Sequence, residues 1–285
     1  MTGPRFPREE AERVVRAALR EDLGERGDVT TRAIFPEPVV GRGYLVAREP
    51  LVVAGLELAE LVMGAGPFPG GGPVRVLPQV RDGERAGTDA TLAVLEGDVR
   101  TMLAGERVLL NLLQRLGGIA TLTATCVAEV EGTRATIADT RKTTPGLRHL
   151  EKYAVAVAGG ENHRMTLDDM VLVKDNHKVL AGGLREALAR VRSAGHDPAC
   201  IEVEVDDLEE LRVALEFGPG WILLDNMSPA GVREAVRLVA GRARVEVSGG
   251  LRPGNLRPYA EAGADRLSLG ALTHSVRAVD IGLDV

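Results

Sequence analysis

Lysine is almost missing from this chain. Among 35 basic residues only Lys142, Lys152, Lys174 and Lys178 are lysines, and all four fall in one short window. Lysine carries a compact charge whose pKa moves on burial, which arginine does not share, so lysine-dependent chemistry is expected in that window. Aromatic residues make up only 3% of the chain, leaving little for base-stacking platforms. The net charge of −6 excludes bulk attraction to nucleic acid, so any anion site must be local. The two cysteines, Cys126 and Cys200, lie in apolar stretches without a CxxC partner. They are expected to be reduced core residues of a cytoplasmic protein. No apolar run reaches the roughly 20 residues that span a bilayer. The N-terminal segment, MTGPRFPREEAERVVRAALREDLG, reads as a charged amphipathic helix without the apolar core of a signal peptide.

What is present is a change of rhythm along 285 residues, a length that accommodates one large domain or two modest ones. The first third mixes the N-terminal helix, turn-rich loops and period-two runs, which predict an α+β domain with antiparallel strands. From Val99 to Val130 apolar residues recur at spacings of three and four, predicting a buried helical face. Gly117-Gly118 within it permits a break or a close helix crossing. From Ala135 onward, six short strands alternate with amphipathic helices: ATIADT, MVLVKD, CIEVEV, WILLDN, RVEVSGG and RLSLG. Such β/α units demand a parallel sheet, and six strands are too few for a closed eight-stranded barrel. A smaller or open α/β barrel is expected over residues 116–272, after an α+β domain over 1–115 on which a tail of about 273–285 packs.

Each of the six strands ends in polar residues. The endings are Asp139-Thr140-Arg141-Lys142, Lys174-Asp175-Asn176-His177, Glu202 with Glu204, Asp225-Asn226, Ser248-Gly249-Gly250, and Ser268-Leu269-Gly270. In α/β barrels these ends converge on one mouth where ligands bind. Arg141, Lys142, Arg164 and Lys174 suggest an anion-binding wall, since forked guanidinium groups match carboxylates and phosphates. The glycine turns after the fifth and sixth strands let backbone N–H groups approach a phosphate, and a helix N-terminus behind each would add to that. Glu204 and Asp225 end neighbouring strands; beside a polyphosphate such a pair suits Mg²⁺, and in isolation it suits salt bridges. His163 adjoins Arg164 and is a candidate partner for an anionic ring substituent. His177 is expected to support Lys174.

The segments DTRKTTPGLR, GGENHR and LVKDNH resemble the signature of the quinolinate phosphoribosyltransferase family. EDLGERGDVTT, GERVLLNLLQRLGGIAT, IEVEVD, LLDNM, VSGGL and SLGALTHS are similar to that family as well, in the same order. One segment departs: this chain reads AGGENHRMTL where the family usually has three glycines before NHR and Gly-Leu after it. The resemblance implies an N-terminal α/β sandwich followed by an open six-stranded parallel α/β barrel. It also implies phosphoribosyl transfer from phosphoribosyl pyrophosphate to quinolinate with loss of CO₂, and Mg²⁺ as cofactor. A homodimer or an assembly of dimers is implied, with Arg107 reaching the partner's site. By the same resemblance Arg141, His163 and Arg164 hold the quinolinate carboxylates, and Thr140 belongs to that motif. Lys142 and Lys174 contact either substrate, and Glu204 and Asp225 bind the ribose hydroxyls and Mg²⁺. Ser248, Gly249, Gly250, Leu269, Gly270 and Ala271 cradle the 5-phosphate. Two other readings use the same residues. One is a Schiff-base lyase with Lys174 as its amine; the other is a non-catalytic oxyanion-binding relative of the molybdenum-associated type.

Overall fold

The computed structural model describes residues 3–285, and these fall into two compact units. The first comprises residues up to 124 with 143–159 and 272–285; the second comprises 125–142 and 160–271.

In the first unit, the N-terminal helix Arg8–Leu23 buries Ala11, Val15 and Leu19, one face of its 3.6-residue period, and exposes its charges. Met1 and Thr2, part of the segment expected to be helical, lie outside the described residues. Strands β1 (Val40–Ala47), β2 (Leu51–Val52), β3 (Val74–Pro78), β4 (Arg85–Ala86) and β5 (Thr91–Asp98) follow. The main sheet is antiparallel, in the order terminal strand Ile281–Asp284, β1, β5, β3, and β2 pairs separately with β4. The helix Glu57–Gly64 packs beside the N-terminal helix and buries five apolar side chains.

The segment Val99–Glu129 is one helix of 31 residues, unbroken at Gly117-Gly118. Those glycines serve close approach, and the neighbour is an extended segment of the C-terminal tail. A Cβ on Gly118 would lie 2.2 Å from the Arg277 carbonyl oxygen, and one on Gly117 would lie 2.8 Å from a Val279 methyl.

The second unit holds β6 (Thr136–Ala138), β7 (Val171–Val173), β8 (Ile201–Val205), β9 (Trp221–Asp225), β10 (Arg244–Ser248) and β11 (Arg266–Ser268). Every pairing in its sheet is parallel, in the order β6, β11, β10, β9, β8, β7. β6 and β7 are the two edges, so the barrel is open between them. Val203, Val205, Ile222, Leu224, Val245 and Val247 are buried. The alternate positions Glu202, Glu204 and Glu246 are buried too. Strict period-two alternation therefore places one apolar and one charged row on opposite faces of the same strands.

Two expectations need correcting. Cys126 is buried, as its apolar neighbours implied, but Cys200 is exposed at the end of the short 3₁₀ turn Pro198–Cys200. The burying pattern of β8 starts only at Ile201. The helix expected directly behind Ser248-Gly249-Gly250 begins only at Arg257, and the one behind Gly270 is the single turn Ala271–His274. Neither supplies a long helix dipole at those glycines. Among the described residues no helix is long and apolar enough to cross a membrane.

Candidate active site

The carboxyl ends of β6–β11 surround a cavity of about 440 Å³. Its lining is Thr140, Arg141, Lys142, His163, Arg164, Leu172, Lys174, Glu204, Leu223, Asp225, Glu246, Ser248 and Ser268. Ten residues singled out from the sequence are thus brought together. Gly249, Gly250, Leu269, Gly270 and Ala271 do not line the cavity; Leu269 is buried and gives its backbone N–H to the Ala138 carbonyl at 2.9 Å. Arg107 is exposed on the helix Val99–Glu129, in the unit that does not contain the cavity.

The cationic side is built on Asp139, which is fully buried at the end of β6. Its carboxylate accepts from Asn162 Nδ2 at 2.7 Å and from the His163 backbone N–H at 3.0 Å. The Glu161 N–H donates to the Ile137 carbonyl at 2.7 Å, so the segment carrying Asn162-His163-Arg164 lies along the β6 edge. Arg164 Nη1 donates to the Met170 carbonyl at 3.2 Å. Burial, and then the neighbouring Arg141 guanidinium, lower the Arg164 pKa from its ordinary value. The buried Nε of Arg141 has no hydrogen-bond partner among the described residues. Two guanidinium groups pressed together and partly desolvated are unfavourable alone, and an anion carrying two carboxylates would relieve both.

The floor is acidic. Glu202 and Glu246 are buried on β8 and β10, and His163 Nε2 lies 3.0 Å from Glu202 Oε2 and 3.5 Å from Glu246 Oε1. Burial, reinforced by the Glu202 charge, pushes the Glu246 carboxyl up to about 7. Burial likewise raises Glu202. Arg266 Nη1 bonds Glu246 Oε2 at 3.1 Å while its guanidinium stacks on the Trp221 ring at 3.8 Å.

His163, Glu202 and Glu246 are the one group among the described residues with three such ligand atoms within 4.8 Å of one another. The tautomer argues against a metal there. His163 Nδ1 accepts the Arg164 backbone N–H at 2.7 Å, so the ring proton sits on Nε2, the atom that faces the carboxylates. A ligating histidine normally donates its other nitrogen outward instead. The sequence expectation for His163, contact with an anionic substituent, meets a ring whose two nitrogens are both turned to protein groups.

On the opposite side, Lys174 precedes the helix Asp175–Ala181. Its backbone N–H donates to His177 Nδ1 at 3.1 Å, the supporting role expected of that histidine. Lys174 Nζ donates to Glu204 Oε2 at 3.1 Å. Burial raises the Asp225 pKa, helped by the charges of Glu204, Asp206 and Asp175. Asn226, at φ 53°, donates to Asp225 Oδ2 at 2.6 Å.

Sequence reading missed Glu246, Leu172 and Leu223, and gave Asp139 no role. Glu246 had a signal. It stands two residues before Ser248, so in a strand it shares Ser248's face.

A parallel open barrel with a cation-rich cavity at its strand ends defines an anion-binding α/β-barrel protein. Residues 28–117 match the N-terminal domain, and residues 119–284 the C-terminal domain, described as quinolinate phosphoribosyl transferase. The nicotinate-nucleotide pyrophosphorylase [carboxylating] of Mycobacterium leprae is 46% identical over 274 residues, 95% of each chain. The chloroplastic nicotinate-nucleotide pyrophosphorylase [carboxylating] of Arabidopsis thaliana is 36% identical over 304 residues, covering 99% of this chain and 84% of that protein. The crystal structure of nicotinate-nucleotide pyrophosphorylase from Ehrlichia chaffeensis superposes with a TM-score of 0.90 at 39% identity, covering 95% of this chain and 97% of that one. The chain belongs to the quinolinate phosphoribosyl transferase family.

Proposed function

We infer that this protein transfers the phosphoribosyl group of phosphoribosyl pyrophosphate to quinolinate and releases CO₂, an enzyme of NAD biosynthesis. The observation that carries the reading is the family match over residues 28–117 and 119–284 together with one cavity lined by Arg141, Lys142, Arg164, Lys174, Glu204, Asp225 and Ser248.

Arg141 and Arg164 hold the two carboxylates of the pyridine ring, and Thr140 and His163 shape that end of the cavity. Lys142 and Lys174 face the phosphates. The pyridine nitrogen attacks C1 of the ribose, and pyrophosphate departs with the electrons of the C–O bond. Fixed cations stabilise that departing charge without reorganising during the step. The ring nitrogen is then quaternary and accepts electron density. The carbon–carbon bond to the 2-carboxylate breaks, CO₂ leaves, and C2 takes up a proton. The products are nicotinate mononucleotide, pyrophosphate and CO₂. No covalent nucleophile is required.

Glu204 and Asp225 are hard oxygen donors on neighbouring strands, and Asp225 is destabilised as an anion by burial and three acidic neighbours. These residues fit Mg²⁺, which takes one or two carboxylates plus substrate oxygens. When bound, Mg²⁺ supplies charge neutralisation at the pyrophosphate. Ser248 marks the 5-phosphate end of the cavity, while Gly249, Gly250, Leu269, Gly270 and Ala271 belong to that end of the reading without lining the cavity. Arg107 completes the site from the second subunit of a cytoplasmic homodimer.

Lys174 is half-exposed and paired with Glu204, whereas a Schiff-base amine is activated in a desolvated pocket or beside another cation. The test is incubation with quinolinate, phosphoribosyl pyrophosphate and Mg²⁺. Stoichiometric CO₂ and nicotinate mononucleotide are expected. Product from nicotinate but none from quinolinate overturns the reading, as does borohydride trapping of a carbonyl substrate on Lys174.

A further inference from the structure

Lys178 is one of the four lysines, and the mechanism above gives it no task. It lies on the helix Asp175–Ala181 and is 6% exposed. Its ammonium meets three carboxylates: Asp175 Oδ1 at 2.8 Å, Asp206 Oδ2 at 2.9 Å and Glu210 Oε2 at 2.8 Å. Asp175 is on its own helix, Asp206 follows β8, and Glu210 lies in the first turn of the helix Leu208–Leu215. One buried ammonium therefore ties the segment after β7 to the segment after β8. Three donors on a tetrahedral head satisfy three acceptors from different elements, a geometry that a flexible surface ion pair lacks.

What these segments carry is the acidic wall of the cavity. Lys174, immediately before Asp175, bonds Glu204, and the Asp175 backbone N–H approaches Glu204 Oε1 at 3.4 Å. Asp206 stands two residues beyond Glu204. Asp206 and Asp175 are also two of the charges that act on Asp225. The ammonium of Lys178 is within 2.9 Å of both. Without it, Asp175, Asp206 and Glu210 would face one another beside Glu204 and Asp225 with Lys174 as the nearby cation.

We propose that Lys178 is a positioning residue that fixes the Lys174–Glu204 pair and offsets the negative charge behind it, so that the cavity accepts the pyrophosphate end of the phosphoribosyl donor. The proposal rests on the phosphoribosyl-transfer reading above and assigns Lys178 no contact with substrate. It concerns one side of the cavity. Arg141 and Arg164, which face the pyridine dicarboxylate, touch none of the Lys178 partners in the hydrogen bonds given above. The two substrates should therefore respond differently to its loss.

The test is Lys178→Met in the full chain, with calorimetric binding of Mg²⁺-pyrophosphate and, separately, of quinolinate. Removing one positive charge and leaving three carboxylates uncompensated should weaken pyrophosphate about tenfold or more, with quinolinate changed less than about twofold. The KM for phosphoribosyl pyrophosphate should rise in parallel. The double variant Lys178→Met, Glu210→Gln removes one of the abandoned acids. It should recover part of the pyrophosphate affinity and fold where Lys178→Met alone does not.

A merely structural lysine would lower the melting temperature and weaken both ligands equally, or neither. Either pattern, in the single or the double variant, overturns the proposal. Wild-type protein that turns over no quinolinate would instead remove the functional reading itself.

Discussion

The Arg164 backbone N–H donates to Nδ1 of its neighbour His163 at 2.7 Å, which fixes the histidine proton on Nε2, 3.0 Å from the buried Glu202 carboxylate. The Nε2 side of His163 thereby faces the acidic floor, where both Glu202 carboxylate oxygens are buried without a hydrogen-bond partner among the described residues. His163→Gln keeps an N–H near the Nε2 position, whereas His163→Leu sets apolar atoms against buried carboxylate oxygens that already lack a hydrogen-bond partner. Such a change costs about 1–3 kcal/mol. In thermal melts Leu should therefore fall well below Gln, and kcat/KM for quinolinate should follow the same order. Equal behaviour of the two variants would show that the ring acts through shape alone.

Glu246 makes a pH prediction. Its folded-state pKa is raised from 4.5 to about 7, chiefly by burial. Between these values the folded protein keeps a proton that the unfolded chain has lost. Stability therefore declines as pH rises through that window, by about 1.4 kcal/mol per pH unit at most. Denaturant titrations of the ligand-free protein should give a higher unfolding free energy at pH 5 than at pH 8. In Glu246→Gln, which has nothing to ionise, that gap should shrink. An unchanged gap would place the proton elsewhere.

These two predictions use residues that the sequence disclosed unequally. The six β/α units were legible because each strand is short, apolar and bounded by polar ends, and the parallel order followed from the helices between them. Arg141, Lys142, His163, Arg164, Lys174, Glu204 and Asp225 were legible because motif and strand end coincide. The acidic floor was legible only in part: Glu202 stood out as a strand ending, and Glu246 did not. Glu202 and Glu246 alternate with valines, and period two gives the same pattern whether the polar row meets solvent or a barrel interior. Only the closing curve of the sheet decides between them. Cys200 shows the converse: apolar neighbours in sequence did not bury it, because β8 starts one residue later. The Gly117-Gly118 pair signalled close approach, but nothing local named the tail segment around Arg277 as the neighbour.

Gly249 tests how backbone geometry holds the acidic pair. It lies at φ +90°, and a Cβ there would stand 2.2 Å from Asn226 Oδ1. Asn226 in turn bonds the Asp225 carboxylate. Gly249→Ala combines a strained conformation with displacement of Asn226, so a loss of about 1–3 kcal/mol is expected. The kinetic signature should be a higher Mg²⁺ requirement and a higher KM for phosphoribosyl pyrophosphate, with quinolinate binding largely retained. A destabilised variant with unaltered Mg²⁺ dependence would separate the Gly249 turn from Asp225 function.

Arg107 is exposed on the helix Val99–Glu129, whereas Lys142 lines the cavity. If Arg107 acts in the second subunit's site, the two residues that serve one site belong to different chains. Arg107→Ala and Lys142→Ala should each reduce kcat/KM by several orders of magnitude, since each removes a fixed positive charge at the developing anion. Mixing the two inactive proteins under conditions of subunit exchange should then create hybrid dimers. In a hybrid, one site carries both defects and the other carries neither. Random exchange makes half the dimers hybrid, so about a quarter of the sites, and of the wild-type activity, should return. Native mass spectrometry of the mixture, with one variant isotopically heavy, reports whether exchange took place. Confirmed hybrids without recovered activity would mean that Arg107 works within its own chain or not at all.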